Sequence, residues 1–298
     1  MYLGSSFTAD GLVSSAVAAD ANLRKSHVMK FISFVQKNND APFYVKLKIF
    51  NACIVSSVTY GCESWLNGDL RPIQKLYNMC IKALLNVRNT TNNELCMVEL
   101  GLPPLKALVK QRQRIFFKAM HLSRVNMEDD PFGHALRITM EDRTPTARYL
   151  RTLLEGNAND VQEGLTAMHM ALAENARNST RNAWYNRMNT SYAVHHVYTS
   201  KSAPVPEHHR VAWTRLRLSA HSLAIEEGRW NRRGRGRLPV EERLCSCGQV
   251  QDEEHVIAHC PRTQHLRMEI GISTVAQFVA AHNRISCKFA FEILEEMK

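Results

Sequence analysis

Near the C-terminus, Cys245-Ser246-Cys247 is followed after seven residues by His255 and after four more by Cys260. Three thiols and an imidazole are the soft and borderline donors that tetrahedral zinc prefers, on a segment short enough to wrap one ion. Gly248, directly after the Cys-x-Cys pair, permits the tight turn that aims both thiolates at one point. A closed set of four protein ligands leaves no position for a reactive water, so the expected role of Zn2+ is structural and not hydrolytic. His259, next to Cys260, competes with His255 for the fourth position.

Just upstream, Arg229, Arg232, Arg233, Arg235 and Arg237 are interleaved with Gly234 and Gly236, with no acidic residue among them. Such a flexible cationic segment suits phosphate contacts, and Trp230 offers either a stacking surface for a base or a core anchor. A second basic series, Lys106, Lys110, Arg114 and Lys118, recurs at four-residue spacing after Pro104. Leu105, Leu108, Val109, Ile115, Phe116 and Ala119 fall on the opposite arc and are expected to face the core, with Arg112 and Phe117 departing from the pattern. The basic stripe can track a phosphate backbone through counterion release, or it can be a solvated surface.

Other chemistry is not written in the sequence. Phosphate-cradling, nucleophile-elbow and His-Glu-x-x-His motifs are absent. Asp129-Asp130 is followed by Pro131 in a polar stretch and reads as a turn. Adjacent side chains point in different directions, so His195-His196 and His208-His209 are expected at surface or interdomain positions, not at a second metal.

The elements that must position these groups are mainly helical. The 298 residues, 45% of them hydrophobic, suffice for a sizeable core. Leu70, Ile73, Leu76, Tyr77, Cys80, Ile81, Leu84 and Leu85 form one apolar helical stripe. A helix is expected to begin after Pro42, and another, from Glu94 to Leu100, ends at Gly101. Residues 127–146 read as a loop or linker, Trp184 anchors a helix within 177–190, and a final helix includes Val275, Phe278, Val279, Phe289, Ile293 and Leu294. The fold class expected is mainly α: a helical bundle over residues 1–125, a helical linker region over 126–205, and, over 206–298, the arginine-rich segment, a small CCHC zinc knuckle and a C-terminal helix.

Composition bounds the partners. A net charge of +10, from 38 Lys and Arg against 28 Asp and Glu, favours polyanions, namely RNA or DNA. No apolar run approaches the ~20 residues of a membrane span, and no charged-then-apolar leader follows Met1, so an intracellular protein of nucleus or cytoplasm with no membrane partner is expected. Among the eight cysteines, Cys53, Cys62, Cys80 and Cys96 are dispersed and read as buried core thiols.

Tyr2-Leu3-Gly4, Tyr60-Gly61-Cys62-Glu63-Ser64-Trp65 and the Cys245/Cys247/His255/Cys260 set, in that order, resemble the C-terminal portion of reverse transcriptases from non-LTR (LINE-type) retrotransposons. The stretch Arg215 to His221, then Glu227-Gly228-Arg229 and Asp252-Glu253-Glu254-His255, is similar to the approach to that family's knuckle. The resemblance implies the end of a polymerase palm, a helical thumb and a C-terminal zinc knuckle. It also implies that the palm aspartates and the endonuclease are missing, so that this chain alone binds nucleic acid without polymerising it. RNA-directed DNA polymerase activity in a longer product and a protein-interaction scaffold are the alternatives.

Overall fold

In the computed structural model every regular element among the described residues is helical, and the only strand-like pairing is a single bridge between Leu244 and Val250. The described residues are all but 1–5, 125–129, 157–158, 179, 201–204 and 231–235. Tyr2-Leu3-Gly4, Asp129, Arg232, Arg233 and Arg235 therefore lie outside them. Among the described residues, no helix is long and apolar enough to cross a membrane. Contacts divide the chain into two units whose segments alternate along the sequence. One comprises Met1–Asn38, Lys46–Ile81 and Leu102–Ala171, the other Asn39–Val45, Lys82–Gly101 and Leu172–Lys298.

In the first unit the Tyr60–Trp65 motif forms a latch. Gly61 takes φ 71°, a left-handed value that glycine adopts at no steric cost, and reverses the chain into the Cys62–Ser64 turn. Trp65 is thereby buried and donates its indole N–H to Asp20 Oδ2 at 3.1 Å. Arg24, one turn along the Val13–Lys37 helix, pairs with Asp20 and donates to the carbonyls of Ser57 and Tyr60. Gln113 of the Leu105–Arg124 helix donates to the Cys62 carbonyl at 2.7 Å and accepts from the Tyr149 hydroxyl. Phe117, Leu136, Leu150 and Leu153 close a small apolar core.

The structure departs from the sequence pattern in three places. The linker expected over 127–146 contains a helix, Pro131–Glu141, because Asp130 caps it, accepting from the Gly133 N–H at 3.0 Å, and proline at the first helical turn starts a helix rather than breaking it. Thr144 and Pro145 repeat the device for the Pro145–Glu155 helix. On the Leu105–Arg124 helix Ile115 and Phe116 are exposed, while Gln113, Arg114 and Phe117 are buried. Its inner face is thus rotated from the one apolarity alone selects. Of the dispersed thiols Cys62, Cys80 and Cys96 are buried but Cys53 is exposed.

The second unit is organised around a buried carboxylate. Asn92 caps the Asn93–Leu100 helix and Gly101, at φ 64°, ends it. Glu99, fully buried, accepts from Arg217 Nε at 2.7 Å and Nη2 at 3.0 Å, and from the hydroxyls of Tyr185 and Tyr198, each at 2.8 Å. Arg217 also donates to the Met188 carbonyl, tying the Thr180–Met188 helix to the Glu207–Arg217 helix. Trp184, the expected anchor, is buried and donates to the Leu216 carbonyl. The final helix of the sequence reading is two, Val275–Ala280 and Asn283–Glu296, separated at Ala281, where the backbone is extended, and restarted by His282 as cap. The second of these packs on the Glu207–Arg217 helix.

Candidate metal centre

Cys245, Cys247, His255 and Cys260 come together, their ligand atoms all within 4.8 Å of one another, and the cluster can hold a metal ion such as zinc. The Cys245 and Cys260 sulfurs are 3.7 Å apart, and Cys247 Sγ lies 3.2 Å from His255 Nε2. With metal–sulfur bonds of ~2.3 Å a tetrahedral site has sulfur–sulfur edges of about 3.8 Å, so the first separation is already that of shared ligation.

Two local devices build the cluster. The first is a tight hairpin: Cys245 N–H donates to Gln249 at 2.7 Å, Gly248 N–H to Cys245 at 2.9 Å and Gln251 N–H to Arg243 at 2.8 Å. Gly248 sits at φ 88° with open space where a Cβ would be, so the backbone angle and not crowding demands glycine there. The second is a turn of π-helix, His255–His259, closed by the Cys260 N–H on the His255 carbonyl at 2.7 Å. In an α-helix, at about 100° per residue, positions five apart lie about 140° out of register. The i to i+5 bond is what brings His255 and Cys260 to one side. Asp252 starts this turn, accepting from the His255 N–H at 2.8 Å. Val256 and Ile257, fully buried, fix it to the unit. His259 is exposed and outside the cluster, so the geometry selects His255 as the fourth donor.

Burial opposes ionisation of Cys245. The Cys247 N–H and the side chains of His255, Cys247 and Cys260 outweigh it and lower the thiol to about 6. Burial, with the neighbouring sulfurs, raises Cys260 to about 11. One ligand is thus ready as thiolate at neutral pH, and another needs an ion to displace its proton.

The arginine-rich segment springs from the same framework. Leu238 N–H donates to the Gly228 carbonyl at 2.9 Å, closing the segment at its base. Arg243, two residues before Cys245 and buried, clamps that base by donating to the carbonyls of Leu238 and Ile225. Its aliphatic stem lies where a Cβ on Gly228 would sit, 2.7 Å away. Beneath this, Glu253 accepts from Ser219 Oγ at 2.7 Å and pairs with His221 at 3.0 Å. The sequence reading missed Arg243 because one arginine after Glu241-Glu242 carries no pattern. Asp252 was legible as an N-cap residue type three positions before His255.

The other cations divide. Arg229 forms an ion pair with buried Glu226 at 3.1 Å, whereas Arg237 is exposed. Trp230 is a little over one-third exposed. Along the second series only Lys106 is exposed. Arg114 donates from Nη2 to Asp160 Oδ1 at 2.9 Å and its Nε lies 2.9 Å from Oδ2 as an ion pair, Lys110 pairs with the same carboxylate at 2.9 Å, and Lys118 donates to the Gly156 carbonyl at 2.7 Å. The stripe read as a phosphate track is therefore largely an internal dock, because a fully buried acid supplies what a phosphate would. Replacing Asp160 with Asn is expected to destabilise the protein by about 3 kcal/mol, by leaving Arg114 buried without its counter-charge. Urea unfolding reads this. RNA affinity, measured on the folded variant, should not change.

His195 is half-buried with its ring 4.9 Å from that of Trp213; burial, with the charge of Arg217, lowers its pKa to about 4, and the rings of His208 and His209 pack edge-on and tilted against Phe291. Neither pair belongs to a metal cluster among the described residues. Comparison with known proteins gave no match to a family model, a curated protein or a solved structure.

Proposed function

We propose that this chain binds RNA or DNA through a zinc-organised C-terminal module, and that it corresponds to the thumb and knuckle of a non-LTR retrotransposon reverse transcriptase. Polymerisation in this reading belongs to a longer product that carries the palm aspartates. The observation supporting it most is the coupling of ligands to arginines. The hairpin that carries Cys245 and Cys247 also carries Arg243, which clamps the base of the Arg229 to Arg237 segment. A metal that fixes the hairpin would fix the segment's two ends, so its arginines lose less freedom on meeting a phosphate backbone.

The test is binding of a structured RNA, followed by fluorescence anisotropy at rising salt. Zinc-loaded protein should bind with log affinity falling linearly in log salt, and changing Arg232, Arg233 and Arg235 together to Gln should flatten that slope by about 3. Cys245→Ser should weaken binding at least as much. Absent or salt-insensitive binding would instead favour the interaction scaffold. Primer extension by the purified chain would overturn the non-catalytic assignment.

A further inference from the structure

Within the second unit, a groove of about 1090 Å3 lies between the residues around Asp40, the turn at Asn86 to Arg88, and the Glu207–Arg217 and Asn283–Glu296 helices. That is the size of a large small-molecule site. Its charges are not evenly matched. Arg210 is held by Glu207 in two bonds of 2.7 and 2.8 Å, and Lys298 pairs with Glu295. Asp40, the third acid of the lining, is exposed.

Arg215 is different. It is half-buried and bonded to neutral groups: Nε donates to the Asn86 carbonyl at 2.9 Å and Nη2 to Asn86 Oδ1 at 3.0 Å. Asn86 makes this fork by adopting φ 54°, a left-handed conformation that asparagine tolerates better than most residues. The guanidinium is thus aimed without being neutralised, with Nη1 left over. Arg88 lines the same groove, also half-buried. Burial lowers the pKa of Arg215, and the like charges of Arg88 and Arg210 lower it further, as expected of an arginine that faces cations. Half-buried Tyr44 and the exposed ring of His208, set edge-on 4.9 Å from Phe291, line the groove as well.

We propose that this groove binds the phosphate of a nucleotide, free or within a single strand, with Arg88 and Arg215 as its anion ligands and Tyr44 and His208 as the surface for the base. Two guanidiniums with no carboxylate partner among the described residues match a phosphate's oxygens, and the half-buried ring of Tyr44 and exposed ring of His208 in the same groove can accept a base's π-face. The strand as source rests on the nucleic-acid reading above; the free nucleotide does not.

The two sources are separated by titrating wild-type protein with AMP and adenosine in a calorimeter, and with a labelled single strand of about eight nucleotides by anisotropy. The proposal expects AMP, the strand or both to bind, adenosine to bind more weakly than AMP, and Arg88→Gln with Arg215→Gln to weaken whichever phosphate ligand binds by about tenfold or more. Arg88→Gln alone, which leaves the Asn86 fork intact, should give part of that loss with an unchanged melting temperature. Failure of both probes to bind, or equal affinity in wild type and the double variant, overturns it. Structured RNA binding that is lost in Cys245→Ser but kept in the double variant, with AMP and the strand also kept, removes the groove and leaves the zinc-module reading. AMP binding that is lost in the double variant, with no structured RNA bound, does the reverse.

Discussion

Cys245→Ser and Cys260→Ser are each expected to take the zinc content from one ion per chain to near zero after dialysis, read by elemental analysis. His255→Ala should do nearly the same. His259→Ala should leave the metal in place, because His259 is exposed and outside the cluster. Zinc retained by His255→Ala but lost by His259→Ala would refute the assignment of the fourth ligand. Loss of the ion should cost roughly 5 kcal/mol, below the ~10–16 kcal/mol of isolated zinc fingers, since Val256 and Ile257 remain as anchors without it. The same chemistry sets a pH dependence. With Cys245 at about 6 and Cys260 at about 11, the metal-free protein at neutral pH has one thiolate ready and at least one thiol still protonated. Zinc uptake must therefore release protons, and apparent affinity must rise with pH by about tenfold per unit for each proton displaced. Adding zinc in weak buffer, and chelator competition at several pH values, measure both. Uptake without proton release would show that the thiols are not the ligands.

Arg217→Met is expected to destabilise the second unit by about 3–5 kcal/mol, the effect of leaving a fully buried carboxylate without its counter-charge. Glu99 is wholly inside, and burial by itself would raise its pKa. The charge of Arg217, with the bonds from Arg217, Tyr185 and Tyr198, reverses this and holds it below its ordinary value near 4.5. A folded pKa below the unfolded one means that the stabilisation is complete above about 4.5 and disappears as pH falls through the folded value. Wild-type stability should drop on that acid limb. Glu99→Gln should be less stable at neutral pH yet flatter in acid. Urea midpoints from neutral to acid pH decide it: parallel acid limbs in the two proteins would mean Glu99 does not carry the dependence. Glu99→Leu combined with Arg217→Met should recover part of the loss of either single change, because no orphan charge remains.

Helix existence was readable wherever apolar spacing and local stop signals agreed. The stripe from Ile73 to Leu85 is buried as its period requires, and Gly101 ends the helix before it with a left-handed angle that few other residues take readily. Reading failed where one residue type supports two outcomes. Pro131 serves as a breaker in a loop and as a starter behind an N-cap, and the Asp130 bond to Gly133 decides for the helix. Lys110 and Arg114 carry the same charge facing solvent, phosphate or protein. Their orientation was set by Asp160, 46 residues from Arg114, whose burial no window around them reveals. Glu99 gave no signal at all beside its helix, since the arginine that holds it is 118 residues away.

What the sequence determined by itself is the donor set: three thiols and an imidazole in one short segment, with a glycine where the turn needs a left-handed angle and an aspartate where the next turn starts. Those constraints act between near neighbours, through backbone angles and hydrogen bonds of fixed reach, so spacing encodes them. Tertiary structure decided which histidine joins the set, that Arg243 would clamp the arginine segment, and that Arg215 would meet neutral groups of Asn86 while Arg114 was paired with Asp160. Those outcomes depend on which distant group shares a water-poor site with each charge. Desolvation and pairing are properties of the packed chain.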